Sequence, residues 1–320
     1  MEKSLKISEG NNSSQKMQVF QRLLPYIGIV VVVLLFGILT DFRSLTFRNI
    51  RLIIEQSCVL FICATGVFFI MTMGGLDFSQ GSIIGVASIA VAYFAQYNFL
   101  LAVISGMFVG LFIGAINGIL HVKFKIGSFI VTICTMFIFR GVCAFLTTAK
   151  PMSAPIFMYS FNKWYYLISA AVLVLVLGAF FFSMTSFGRK LKAIGAGETA
   201  ARFSGVKVAK IKFLVFMLAG ILTGFAATIN TIRVGSITAS SGTLLETNIM
   251  ISLVLGGMPV SGGAKNRFSS VLVGVLLFAI LNNGLVMLQI NPNVQQLIRG
   301  LVFLVIVVAN TDRDAVLIIK

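Results

Sequence analysis

The chain has 320 residues, of which 58% are hydrophobic and only 11% charged. A soluble domain carries about 45–50% apolar and about 25% charged residues, so a water-soluble globule is excluded and the bilayer must solvate much of this surface. The formal net charge of +16 does not point to nucleic acid. Its Lys and Arg residues gather in short segments between apolar runs and form no continuous basic face interleaved with aromatics.

A membrane-crossing helix needs about 20 apolar residues. In chain order the apolar runs predict helices at about Leu23–Leu39, Ile53–Met73, Ser82–Gln96, Leu100–His121, Gly127–Leu146 and Trp164–Met184. After a basic loop they predict helices at about Ile211–Ile232, Thr247–Gly257, Phe268–Gln289 and Val294–Asn310. The third and eighth are short and read as half-helices or re-entrant segments, which a membrane tolerates only inside protein. The fold class is therefore an all-α integral membrane protein of about ten transmembrane helices. A flexible cytoplasmic tail is expected at 1–21, a transmembrane domain at 22–310 and a short cytoplasmic tail at 311–320. The run beginning near Leu23 is followed by Asp41-Phe42-Arg43 rather than by small residues, so no cleavable signal peptide is expected.

Basic residues give the orientation. With a cytoplasmic N-terminus, 17 of the 25 Lys and Arg residues fall inside and six outside, as positive-inside topology requires. The Arg189–Lys212 segment is then cytoplasmic and Lys150–Trp164 is external. Arg43, Arg48 and Arg51 sit on the wrong side of this scheme, and Arg140 and Arg299 lie within spans. Gly114-Ala115-Ile116-Asn117-Gly118 faintly echoes Ile280-Leu281-Asn282-Asn283-Gly284. Five spans separate the two segments, which predicts inverted-repeat halves.

No catalytic constellation is visible among nine acidic residues and one histidine, His121. The four cysteines lie in apolar runs without a CxxC pair, so they read as small packing residues and no metal site is expected. A phosphate-binding loop needs Lys directly after the second Gly of G-x-x-x-x-G, but Gly263 stands there after Gly257 and Gly262. No cofactor is expected in this chain.

Three polar segments carry what chemistry there is. Gly74–Ser82 breaks two apolar runs with glycines and one acid, Asp77. Asp77 can cap the next helix or act in a functional polar site, and the two roles are compatible. Phe187–Lys212 is the only long polar stretch between spans. It reads either as a solvated basic loop or as a docking helix at Thr199–Phe203 between Gly195, Gly197 and Gly205. Arg233–Asn248 is small and polar, and reads as an ordinary external loop or as the lining of an entrance for a hydrated solute.

Together these segments resemble the permeases of ribose- and galactose-type ABC importers. GGLDFSQGS at Gly74–Ser82 looks like that family's GG-[IL]-D-L-S-x-G-S signature. Phe129-Ile130-Val131-Thr132 followed by Arg140-Gly141-Val142 resembles its F-I-V-T-L…R-G-V helix, and AIGAGETAARFSGVKVAKIK resembles its cytoplasmic loop. The resemblance spans about Asn49–Asn310 and implies ten helices per subunit and a dimer. It also implies a cytoplasmic ABC ATPase subunit that binds ATP-Mg, and an extracytoplasmic sugar-binding protein. The ATPase would grip Gly195, Gly197, Glu198, Thr199, Ala200, Ala201, Arg202, Phe203, Ser204 and Gly205. Asp77, Ser79, Asn117, Arg140, Glu246 and Asn248 become candidates for the translocation path or its structural support. The implied location is the bacterial inner membrane, with lipid around the helices.

Three departures are visible. Met258-Pro259 replaces Thr-Ser in the family's G-G-T-S-L-x-G-G, Leu245-Glu246-Thr247-Asn248 replaces Y-E-L-D, and Gly197 replaces Asn. They bear on the substrate, and they leave pairing with a sister permease open beside pairing with a second copy. Nucleoside or branched-chain amino acid import on the same architecture is the alternative. A proton-coupled transporter would want a relay of buried acids or histidines, and only Arg140, Arg299 and the edge residue Asp77 are available.

Overall fold

The structure, a computed structural model, describes residues 25–310. The expected tails at 1–21 and 311–320 lie outside the described residues. Ten apolar helices are present among the described residues: α1 (Pro25–Leu39), α2 (Phe47–Thr72), α3 (Gln80–Phe94), α4 (Phe99–Lys123), α5 (Ser128–Thr147), α6 (Trp164–Met184), α9 (Val208–Val234), α10 (Leu245–Leu255), α11 (Ser269–Met287) and α12 (Pro292–Asn310). Six are long and apolar enough to cross a membrane, whereas α1, α3 and α10 are shorter, as is the Pro292–Val308 stretch of α12. Two further helices, α7 (Ser186–Ala196) and α8 (Glu198–Phe203), join the halves. The expected all-α membrane architecture is present.

Length repeats between the halves. In α2 to α5 the helices have 26, 15, 25 and 20 residues, and in α9 to α12 they have 27, 11, 19 and 19. Each set is preceded by one further apolar helix, α1 or α6. The unit is therefore five apolar helices long, and an odd count inverts its second copy.

Helix α2 is the core. Every residue from Ser57 to Met73 is buried, as a helix that is apolar on all sides requires. Around it α4, α5 and α6 expose apolar faces, including Phe108, Phe112, Phe137, Ile138, Phe145, Val176 and Phe180. Lipid would wet these faces. The tightest seam joins α4 to α9. Gly106, Gly110 and Gly114 at four-residue spacing stand against the backbone of Gly224, Gly220 and Phe216, where any side chain would strike a carbonyl oxygen. Small residues at this spacing let two helices approach when lipid supplies no hydrophobic drive to pack them.

Segments expected on one side of the membrane meet. The strand Met152–Ser153 pairs antiparallel with Ser236–Ile237, joining the two loops expected outside. At the opposite end the Gly263 N–H donates to the carbonyl of Thr72 at 3.4 Å, and Gly195 packs against the same carbonyl. The Arg51 guanidinium, on the wrong side by charge count, lies 5.5 Å from the Trp164 ring and pairs with Glu55 at 2.7 Å. An aromatic belt residue and an i,i+4 acid thus hold it at the boundary.

Two expectations need correction. Helix α2 starts at Phe47 rather than Ile53. Its polar first turns find partners: Asn49 and Asn283 exchange amide hydrogen bonds of 2.9 and 3.1 Å. The stretch after Phe187 is helical as α7, not loop. Its Gly188, Leu191 and Ile194 recur at helical spacing and are buried.

Candidate functional site

Between α2 and α3 the backbone leaves helical geometry, so its N–H groups need partners that lipid cannot give. Helix α5 supplies them. The Leu76 N–H donates to Ser128 Oγ at 3.0 Å and the Phe78 N–H to Thr132 Oγ1 at 3.1 Å. Asp77, only 2% exposed, turns its carboxylate back on its own segment. Oδ1 accepts from the Ser79 N–H at 2.8 Å and from Ser79 Oγ at 2.6 Å, and Oδ2 accepts from Gln80 Nε2 at 2.6 Å. The bond to the N–H two residues on is an Asx turn leading into α3.

This carboxylate anchors a network across three helices. Ser79 Oγ accepts from Asn117 Nδ2 of α4 at 2.8 Å, and Gln80 Oε1 accepts from the hydroxyl of Thr223 on α9. The sequence singled out Asp77, Ser79 and Asn117, and the structure brings them together. It missed Gln80, Thr223 and Ser128, whose polar side chains in apolar helices were the available signal.

A second polar centre lies where α10 begins. Arg140 Nη2 of α5 donates to Glu246 Oε1 at 2.9 Å. Glu246 is 4% exposed, stands in the first turn of α10, and its Oε2 has no hydrogen-bond partner among the described residues. That oxygen also lies over Gly81 in the first turn of α3, where a Cβ would strike it. The carboxylate thus serves the positive ends of two helices as well as a guanidinium. Gly81 and Gly242 make the approach possible, because each would drive a Cβ into the other's carbonyl oxygen.

Helices α3 and α10 would be about 22 and 17 Å long, each too short for about 30 Å of hydrocarbon. Their N-termini meet inside the fold, as broken helices do in transporters. Asn248 joins neither centre: its Oδ1 accepts from Arg299 Nη1 at 3.4 Å, tying α10 to α12.

The linking segment forms a separate surface. Glu198 opens α8 and accepts from Lys212 Nζ at 2.6 Å and from Arg202 Nη2 at 3.3 Å. The hydrogen bond from Lys212 holds the Glu198 carboxyl below its ordinary range, despite partial burial. Thr199, Ala200, Arg202, Ser204 and Gly205 are exposed, and Phe203 is 88% exposed. Gly197 joins α7 to α8, and Gly205 turns the chain with φ +82. Ala201 differs from expectation. At 3% exposure it packs into the chain's own apolar core, so it cannot present itself to a partner. Gly195 is likewise turned inward, onto the Thr72 carbonyl.

A family model described as the branched-chain amino acid transport system permease component matches residues 49–307. The chain is 34% identical to the ribose import permease protein RbsC of Bacillus subtilis (strain 168) over 93% of its length and 95% of that protein. It is 31% identical to the D-allose transport system permease protein AlsC of Escherichia coli (strain K12), covering 85% of this chain and 86% of that one. It is 31% identical to the L-arabinose ABC transporter permease protein AraH of Azospirillum brasilense, covering 91% and 89%. No solved structure matches the chain.

Proposed function

Because the chain belongs to this family of ABC transport permease components, a non-enzymatic membrane subunit, we propose that it carries a sugar across a bacterial inner membrane. Its relatives named for ribose, allose and arabinose support a sugar over the amino acid in the family description. The partners proposed are a cytoplasmic ATPase that binds ATP-Mg, an extracytoplasmic sugar-binding protein, and a second or sister permease. The N-terminus is proposed to be cytoplasmic on the positive-inside count.

The observation that carries the reading is the seat of α7 and α8. The exposed Phe203 offers an ATPase a grip. Gly195, in the last turn of α7 just before α8, rests on Thr72 in the last turn of α2. A push on α8 therefore reaches the backbone break at Asp77 through a few packed groups. That break is bonded to α4, α5 and α9, so its displacement moves several helices together and alternates access. Affinity resides in the binding protein, and the permease needs only weak contacts.

The test is uptake by the purified complex in proteoliposomes, with D-ribose, D-allose, L-arabinose and L-leucine offered in parallel. ATP-dependent accumulation of one sugar and not of leucine is expected. Accumulation of leucine alone would move the chain to amino acid import.

A further inference from the structure

Helix α6 ends with Phe180, Phe181 and Met184 exposed. The chain then turns into α7, where Gly188, Leu191 and Ile194 are buried and Arg189, Lys190 and Lys192 lie outside that stripe. Arg189 and Lys192, three apart, are neighbours on the helix surface. The turn before α11 carries two more cations, Lys265 and Arg267, both exposed. Two contacts bring α7 and this turn together. Lys192 Nζ lies 4.5 Å over the Phe182 ring of α6, and Phe182 meets Phe268, the residue after Arg267, with ring centroids 6.4 Å apart. One turn further along α7, a Cβ on Gly195 would lie 3.2 Å from the Gly263 nitrogen.

Among the described residues, none of these five cations has an ion pair. Asp77 is buried and bonded to its own segment, and Glu198 is taken by Lys212 and Arg202. Like charges gathered at one corner repel, so an anion from outside the chain stabilises them. Apolar side chains frame the corner: Phe181 and Met184 end α6, and Leu272 is exposed in the first turn of α11. A small soluble anion would make no use of that frame. A phospholipid uses both parts, with its acyl chains on the apolar side chains and its phosphate among the cations.

We propose that the corner where α6, α7 and the Lys265–Arg267 turn meet binds the headgroup of an anionic phospholipid. Lys and Arg donate to the phosphate oxygens, and the net negative charge selects this lipid over a zwitterionic one. The bound lipid pins α7 to the leaflet surface, and α7 leads through Gly197 into α8. Anionic lipid therefore sets the footing against which a force on α8 works. The lipid site stands on its own geometry, whereas its effect on coupling rests on the ABC import reading.

The experiment titrates dioleoyl-phosphatidylglycerol and dioleoyl-phosphatidylcholine, which share acyl chains and differ in charge, onto the delipidated complex. Bound lipid is counted by native mass spectrometry. Phosphatidylglycerol should bind at least about tenfold more tightly, and high salt should weaken it. One basic residue near an anionic surface contributes about fivefold in affinity, so Lys265→Gln with Arg267→Gln should weaken binding roughly twentyfold. Arg189→Gln with Lys192→Gln should do the same. Lys123→Gln with Lys125→Gln, an equal charge change at the end of α4, should leave binding intact. Equal binding of the two lipids, or unchanged phosphatidylglycerol binding in both corner variants, overturns the site. Inorganic phosphate that displaces the lipid at equal concentration overturns it too, because the apolar frame then contributes nothing. Corner variants that keep the lipid but lose ATPase capture in lipid-free detergent would assign the corner to the ATPase instead. In proteoliposomes, ATP hydrolysis stimulated by the binding protein should fall several-fold when phosphatidylcholine replaces phosphatidylglycerol, and Lys265→Gln with Arg267→Gln should remove that sensitivity. Stimulation equal in both lipids would overturn the footing role. No stimulation of unaltered protein in either lipid would count against the import reading, while the binding titration still decides the site.

Discussion

The guanidinium of Arg140 on α5 sits 2.9 Å from Glu246 Oε1 at the start of α10, across 106 positions of sequence. A charge inside a spanning helix and a buried acid thereby satisfy each other. Removing Arg140 leaves the buried Glu246 carboxylate uncompensated, at a cost below the about 3–5 kcal/mol of a fully buried pair because Arg140 is only half-buried. Arg140→Leu should therefore lower the yield of folded protein and its thermal midpoint in detergent. The double variant Arg140→Leu with Glu246→Leu should recover much of the loss. Equal midpoints for Arg140→Leu and the unaltered protein would show that the pair contributes nothing.

Asp77 accepts three hydrogen bonds, two from Ser79 and one from Gln80. Asp77→Asn keeps one carbonyl oxygen for the Ser79 donors and loses the acceptor facing Gln80. It should retain much of the uptake, whereas Asp77→Leu should lose nearly all of it at matched expression. Equal, complete loss in both variants would assign the charge itself a role in transport.

Phe203 and Ala201 separate contact from integrity. Phe203→Ala removes the exposed ring and should weaken ATPase capture by solubilised permease at least about tenfold, a large share of a small interface. Its melting temperature should not change. Ala201→Trp overfills the chain's own packing and should lower the melting temperature as well. Undiminished capture by Phe203→Ala would place the ATPase contact elsewhere.

The Glu198–Lys212 link has a defined pH window. A carboxyl held below its ordinary value of about 4.3 contributes fully above that value and loses its contribution as pH falls through the lowered one. The link between α8 and α9 should therefore be constant from about pH 5.5 to 8 and fail only in stronger acid. Hydrogen exchange of the α8 amides should follow that course, and Glu198→Gln should abolish it. High salt should weaken the link at neutral pH, because the pair is partly exposed.

The α4–α9 seam leaves no room for a Cβ. Gly220→Val should place a branched side chain against the Gly110 carbonyl and block insertion or folding. The comparison is Gly141→Val on α5, where nothing lies within 4 Å of the added carbon. Membrane levels of the two variants, read by quantitative blotting, should differ several-fold.

The sequence by itself determined the apolar spans, because bilayer thickness imposes a length that each run must meet independently. Trp164–Met184 is the same in both readings, and α3 and α10 are short in both. The family motifs were legible for the same reason, since each lies within one short stretch of chain. Helix α7 carried a readable signal in Leu191 and Ile194, but its basic residues masked it. What remained hidden was pairing. Nothing local links Arg140 to Glu246, Thr132 to the Phe78 N–H, or Asn49 to Asn283. Whether Ala201 or Phe203 faces outward was equally hidden, because a six-residue helix fixes no face until it packs. Only the tertiary structure decides such relations, because in a low-dielectric interior each polar group takes whatever partner the packing of other helices brings within reach.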